Sequence, residues 1–255
     1  MLPKKEIEDF VKEELKNAVS AIHNFDHIKR TTTGAIWFVK ILGGSKREQD
    51  LAYISGLLHD IVRPSTEKIC HAKASAYKAE KILEKFNLDK KDIKKIVQAV
   101  RDHREPTRWK TSLHQSVYLA DKIFEQMGAY VVFRRCMYIG ECEDYENTPF
   151  ERAMISHFEY RLDKFNPSAF PKRFKKLVEY QYSWPINFAK SFSNKEKWAI
   201  RLGKIFYKNG KTHKFRLDEL IRNFKPISNE DAEIKKETLD YINGNKFKEF
   251  EGMIK

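Results

Sequence analysis

The chain has 255 residues, of which 41% are hydrophobic and 13% aromatic. It can bury a core without disulfides or a structural metal, and it is too apolar for a disordered polymer. Ten glycines and eight prolines are too few for an all-β sandwich with many tight turns, and no run approaches the roughly 18 apolar residues of a membrane span. The net charge of +13 is uneven: residues 172–225 hold 15 basic and 4 acidic side chains, and residues 226–255 are net negative.

The N-terminus enters a charged amphipathic pattern with no signal-peptide core. Ile7, Phe10, Val11, Leu15, Ala18 and Val19 predict a helix over 3–20. Asp26 stands as the N-cap of a second helix, which reaches Leu42 and stops at Gly43-Gly44. Ser45 with Glu48 forms a capping-box pattern for a third, 46–60, which ends in His59-Asp60 and is followed by a loop containing Pro64. A fourth runs from His71 to Phe86 with Ala72, Ala76 and Ala79 on a small-residue face. Asp89 opens a fifth that Pro106 ends, and a sixth covers 112–127 and stops at Gly128. Beyond it, 150–163 and 171–192 read as helical, with interruptions at Asn166-Pro167 and Pro185. Ser193 with Glu196 is a second capping-box pattern, opening 194–208. Asn209-Gly210 is a turn signal, Phe215 to Phe224 fits helix or strand, and Asp231–Tyr241 is a short helix. The fold class is all-α.

Eight histidines carry the main chemical signal. His27, His59 with Asp60, His103 and Asp121 recur at helix ends in the first half, with His71 as a sixth position. An imidazole and a carboxylate side by side at the end of a buried helix are costly unless something satisfies them, and a divalent cation does so. Imidazole nitrogens and carboxylate oxygens suit Mn, Fe, Co, Ni or Zn, or Mg with more water.

Asn24 to Arg30, Gly56-Leu57-Leu58-His59-Asp60-Ile61 and Tyr118-Leu119-Ala120-Asp121-Lys122 resemble the H…HD…D signature of the HD-domain phosphohydrolases. His71 to Ala76 and Val100 to Arg104 look like the extra histidine motifs of many HD proteins. Leu119 to Gly140 and Ile155 to Phe158 look like a small subgroup of predicted HD-superfamily hydrolases of bacteria and archaea. The resemblance covers residues 10–190. It implies an HD-domain helical bundle over 1–190 with a basic, mainly helical C-terminal extension over 191–255.

The resemblance also implies a metal ion held by His27, His59, Asp60 and Asp121, with Asp60 as the bridge if a second ion binds. His71 and His103 are then ligands of that second ion or contacts to a substrate phosphate; helix capping is their ordinary alternative. The mononuclear arrangement ranks first. Arg63, Lys73, Arg104 and Lys122 lie close in sequence to these positions and are candidate phosphate clamps, with ordinary solvated charge as their alternative. Glu67 or His71 is the candidate proton shuttle, and the nucleophile is metal-activated water. His23, His114, His157 and His213 read as structural or surface residues, and Asp26 and Asp102 as caps or solvated loop positions.

The implied reaction is hydrolysis of a nucleotide or another small phosphoester, with release of orthophosphate or pyrophosphate. A two-metal phosphodiester or dinucleotide hydrolase is the first rival. A catalytically weak scaffold that binds RNA or a protein is the second. That rival draws on 172–225, where basic residues interleave with Phe174, Tyr180, Tyr182, Trp184, Phe188, Phe192, Trp198, Phe206 and Tyr207. At helical spacing the same pattern reads as a helical layer with aromatics inside and lysines outside, and that reading is preferred. Three cysteines without a C-x-x-C predict a reducing, cytoplasmic setting. No membrane partner is expected, and a homo-oligomeric state stays open.

Overall fold

The computed structural model describes residues 2–16, 20, 22–63, 70–104, 111–164 and 167–254. Among these residues there are α-helices, single 3-10 turns and one π-helical turn, and no strand. Contacts divide the chain into two compact units, Met1–Ala18 with His23–Phe124, and Val19–Ile22 with Glu125–Lys255. The HD bundle expected from the sequence extends to residue 190, whereas the first compact unit ends at Phe124.

The first unit contains α1 (Lys4–Glu14), α2 (Phe25–Ile41), α3 (Lys46–Leu58), α4 (His71–Lys85), α5 (Lys90–Arg101) and α6 (Ser112–Leu119). Helix α1 buries Ile7 and Val11 and closes at Leu15; the expected continuation through Ala18 and Val19 falls outside the described residues. The N-cap of α2 is Asn24 rather than Asp26. Asn24 has an extended backbone, and its side chain accepts from the backbone N–H of Asp26 and of His27. Asp26 instead contributes a carboxylate to the first turn, where the helix dipole favours it.

The Ser45–Glu48 capping box forms as expected: Ser45 Oγ accepts from Glu48 N–H, and Ser45 N–H donates to Glu48 Oε2. The other Glu48 oxygen accepts from Ser112 Oγ at 2.9 Å, so the box also ties α3 to α6. Ser45→Ala is expected to cost about 1 kcal/mol, measured as a lower urea midpoint with an unchanged slope. Near the other end of α3, a Cβ on Gly56 would lie 2.6 Å from Thr32 Cα. Glycine therefore lets α3 touch the backbone of α2, close to where both helices carry their histidines. Ala72, Ala76 and Ala79 are buried, and α4 packs closely on α5. Asp89 caps α5, while Pro64 and Pro106 fall outside the described residues.

The expected sixth helix, 112–127, is not one α-helix. After Leu119 the backbone widens into a π-helical turn, Ala120–Glu125, which carries Asp121. Such turns are rare and gather at functional sites.

The second unit holds α7 (Gly128–Glu141), α8 (Phe150–Lys164), α9 (Lys175–Ser193), α10 (Lys197–Thr212), α11 (Leu217–Asn223), α12 (Asn229–Ile242) and α13 (Phe247–Gly252). Pro185 does not interrupt α9. It is buried on the same face as Leu177, Val178, Gln181, Phe188 and Phe192, and that packing outweighs one lost intrahelical hydrogen bond. The Ser193–Glu196 capping box does not form: Ser193 ends α9, Lys195 takes φ +60°, and Glu196 is the N-cap of α10 without a side-chain cap bond.

Asn209-Gly210 lies inside α10 rather than in a turn. A Cβ on Gly210 would sit 2.1 Å from Met137 O, and one on Gly140 2.0 Å from Tyr207 O, so α7 and α10 cross backbone to backbone. Asn209 adds side-chain bonds to both backbone groups of Phe215, 2.8 Å to O and 3.1 Å from N. Residues 217–223 are helical, which settles the helix-or-strand ambiguity, and Ser228 caps α12, which begins two residues before the expected start. All nine aromatics named in 172–225 are buried or half-buried, with lysines such as Lys197, Lys204, Lys208 and Lys211 exposed. That is the layered arrangement, without an exposed stacking surface.

Candidate metal centre

The helix ends of the first unit bring five of the expected residues together. His27, in the first turn of α2, His59, just past α3, and Asp60 form one group whose ligand atoms lie within 4.8 Å of one another. Asp60, His71 at the start of α4 and His103 just past α5 form a second group of the same kind. Asp60 belongs to both. His27 Nε2 is 3.3 Å from Asp60 Oδ2 and 3.3 Å from His59 Nε2. His71 Nε2 and His103 Nε2 each lie 3.5 Å from Asp60 Oδ1. All but His71 are buried; His71 is half-buried.

Two helix ends fix the imidazole tautomers. His59 Nδ1 donates to Gly56 O at 2.8 Å, and His103 Nδ1 donates to Val100 O at 2.7 Å. Each ring then turns an Nε2 lone pair towards the carboxylate. Asp60 Oδ1 is buried with no hydrogen-bond partner. Arg63 meets the other oxygen, Oδ2, but Oδ1 faces the imidazole nitrogens of His71 and His103 without a hydrogen-bond partner, and a divalent cation is what such an arrangement fits. The residues present therefore suit the ion that the sequence reading implies.

Burial alone would raise the Asp60 carboxyl, but the Arg63 guanidinium, His59, His103 and His27 outweigh it and hold the carboxyl well below the usual range. Burial pushes His59 down to about 4 against the pull of Asp60. Burial, together with Arg63, His103 and Arg104, pushes His71 down to about 3. At neutral pH Asp60, His59 and His71 are therefore deprotonated and ready to ligate.

The linkage has a defined sign. Both histidines have native pKa values below the ordinary 6.5, so between these values the unfolded chain binds more protons. Stability of the metal-free protein is expected to be full above pH 6.5 and to fall as pH drops through 6.5 towards 4, read as a declining urea midpoint. A midpoint flat over that window would contradict it.

Asp121 belongs to neither group of ligand atoms. It is buried beside them: burial would raise its carboxyl, and Lys122 first, then His59, His103 and His27, bring it well below the ordinary range. Lys122 Nζ donates to Asp121 Oδ2 at 2.7 Å. Among the expected phosphate clamps, Arg63 pairs with Asp60, and both Arg63 and Arg104 act on the charge of His71. Arg104 also reaches Cys70 Sγ at 3.8 Å. Lys73 is exposed on α4, apart from these contacts. Glu67 lies outside the described residues.

One feature of the site escapes the sequence reading. Asp102 and His114, both read there as solvated or structural, pair at 2.5 Å, and Gln98 Nε2 donates to the same Asp102 oxygen. This bond ties the end of α5, next to His103, to α6. The nearest sequence signal is that Asp102 immediately precedes a candidate ligand.

Residues 24–125 match the HD domain family. Over that segment, which is less than half of the chain, the chain is similar to HD domains. Its fold and donor set define the class, a metal-dependent phosphohydrolase of the HD type. Two solved structures are similar. One is a predicted HD superfamily hydrolase from an uncultured Thermotogales bacterium, 23% identical, covering 75% of this chain and 91% of that one with a TM-score of 0.49. The other is Bacillus subtilis YpgQ in complex with ADP, 15% identical, covering 77% of this chain and 99% of that one with a TM-score of 0.53. No curated protein matches the chain. Among the described residues no helix is long and apolar enough to cross a membrane.

Proposed function

We propose that the HD centre hydrolyses a nucleotide or another small phosphoester, releasing orthophosphate or pyrophosphate. The observation that carries this reading is Asp60, a buried ionised carboxylate shared by two groups of ligand atoms, with one oxygen unsatisfied. His27, His59 and Asp60 would hold the ion, with Asp121 completing the set. A bound divalent ion there acidifies water and polarises a phosphoryl oxygen.

The remaining work falls to the chain itself. Arg63 and Arg104 flank His71 and supply fixed positive charge for a substrate phosphate. His71 is neutral at its half-buried position and is one candidate proton carrier. Lys122 keeps the buried Asp121 ionised. Glu67 remains the alternative proton carrier. Nucleotides are the first substrates to test, because YpgQ, which shares the fold, has been solved in complex with ADP.

A second reading is favoured by a specific observation. Asp60, His71 and His103 form a second group of ligand atoms through the carboxylate oxygen that lacks a partner. Two ions bridged by Asp60 would suit a phosphodiester or dinucleotide substrate.

A product-resolved screen tests both readings. Ribo- and deoxynucleoside mono-, di- and triphosphates and a diadenosine polyphosphate are offered with Mn²⁺, Co²⁺, Ni²⁺ or Mg²⁺, with metal content measured in parallel. Chelator-sensitive release of orthophosphate or pyrophosphate at one ion per chain is the expected result. Paired nucleotides at two ions per chain would favour the second reading. No turnover on any substrate by metal-loaded protein would overturn both.

A further inference from the structure

Helix α10 contains five basic residues and no acidic one. Its buried residues, Ala199, Leu202, Gly203, Phe206, Asn209 and Gly210, all fall on one side. At about 100° per residue, Lys197, Lys204, Lys208 and Lys211 fall within an arc of about 60° on the opposite side. All four are exposed. At the rise of an α-helix they form a row roughly 21 Å long. Arg201 shares that side but is held by Asp231 Oδ2 and Lys225 O, each at 2.7 Å.

Among the described residues none of the four lysines has an ion-pair partner. Lys211 Nζ lies over the Tyr207 ring at 5.1 Å, a contact that leaves its charge uncompensated. Other helices treat exposed lysines differently. Lys5–Asp9 on α1, Lys175–Glu179 on α9 and Lys236–Asp240 on α12 are ion pairs between residues four apart. On α10 the neighbours at four and three residues, Lys204–Lys208 and Lys208–Lys211, carry the same sign, which destabilises a helix. A line of anions laid along the row would turn that repulsion into attraction.

The row offers charge and little else. Trp198 and Tyr207 are half-buried, so no exposed aromatic stands beside it for unpaired bases to stack on. No large apolar residue is exposed on α10, so a protein partner would find no anchor. The apolar side of the helix is packed into the unit's own core and is not free to enter a membrane surface. No hydroxyl or amide side chain lies within the row to meet a ribose 2′-OH. A stiff, closely spaced line of phosphates is the partner that needs lysine charge alone. We propose that the exposed lysine row of α10 docks on the phosphate backbone of double-stranded DNA, without reading its sequence.

The test is fluorescence anisotropy of a labelled, mixed-sequence DNA duplex with the full-length protein, in EDTA and across a salt series. Counterion release by four lysines predicts a log–log salt slope of about −4. Lys204→Gln and Lys208→Gln are each expected to make the slope shallower by about one. Lys90→Gln, at an exposed position on α5, is expected to leave it unchanged. Asp60→Ala is expected to bind as the wild type does, so failure of docking and failure of hydrolysis are told apart. No binding at low salt, a slope unmoved in Lys204→Gln and Lys208→Gln, or an equal change in Lys90→Gln would each overturn the proposal. So would tighter binding to an RNA duplex, or binding to phosphatidylserine vesicles with none to DNA.

Discussion

Asp60→Ala is expected to lower metal-dependent phosphoester hydrolysis by about a thousandfold or more, with the fold retained. Asp60 is the single carboxylate common to both groups of ligand atoms, so its loss removes a ligand from either arrangement. The Arg63 guanidinium that it pairs with keeps 31% side-chain exposure and can be hydrated when the partner goes. The accompanying stability effect separates a functional residue from a structural one. In the metal-free protein, Asp60 Oδ2 accepts from Arg63 while Oδ1 lacks a partner. Asp60→Asn keeps the shape but removes the charge that Arg63 faces, and is expected to lower the metal-free melting temperature while abolishing the gain on adding metal. Calorimetry with and without Mn²⁺ reads this directly. Wild-type turnover by Asp60→Ala would remove the metal centre from the mechanism.

Gly140→Val is expected to destabilise the second unit by about 3 kcal/mol or more, because the clash is with backbone and no rotamer relieves it. The first side-chain carbon would lie 2.0 Å from Tyr207 O, and the partner glycine, Gly210, is equally confined against Met137 O. For a unit of this size the melting temperature should fall by about 10 °C. Hydrogen exchange should accelerate in α7 and α10 before it does in α3 or α5. A melt superimposable on the wild type would show that the two helices separate at no cost.

The all-helical class and most helix starts are legible in the sequence, because they depend on local signals. Ser45 with Glu48, Asp89, and the buried Ala72, Ala76 and Ala79 act within a turn or two of themselves. The misreadings at Asn209-Gly210 and Pro185 share one cause, which is tertiary contact. Asn209-Gly210 carries turn chemistry, yet it is helical because Gly210 meets another helix. Pro185 is a breaker, yet a long buried face overrides it. The Ser193–Glu196 pattern fails because α9 runs through Ser193.

At the candidate site, residue order alone brings out His27, His59, Asp60, His71 and His103, and the structure gathers them. The roles of Arg63 and Lys122 depend on which carboxylate each one faces. The Asp102–His114 pair depends on how α5 meets α6. Neither is written in spacing.

The π-helical turn at Ala120–Glu125 has a consequence for tracing descent. An α-helix advances about 100° per residue, so a turn with one residue in excess rotates all that follows it by that angle. Sequences that keep ordinary pitch here would align with this chain only through a one-residue gap placed inside a helix, directly after Asp121. Scoring schemes that confine gaps to loops would place it at Gln126-Met127 and misalign the residues between Asp121 and that break.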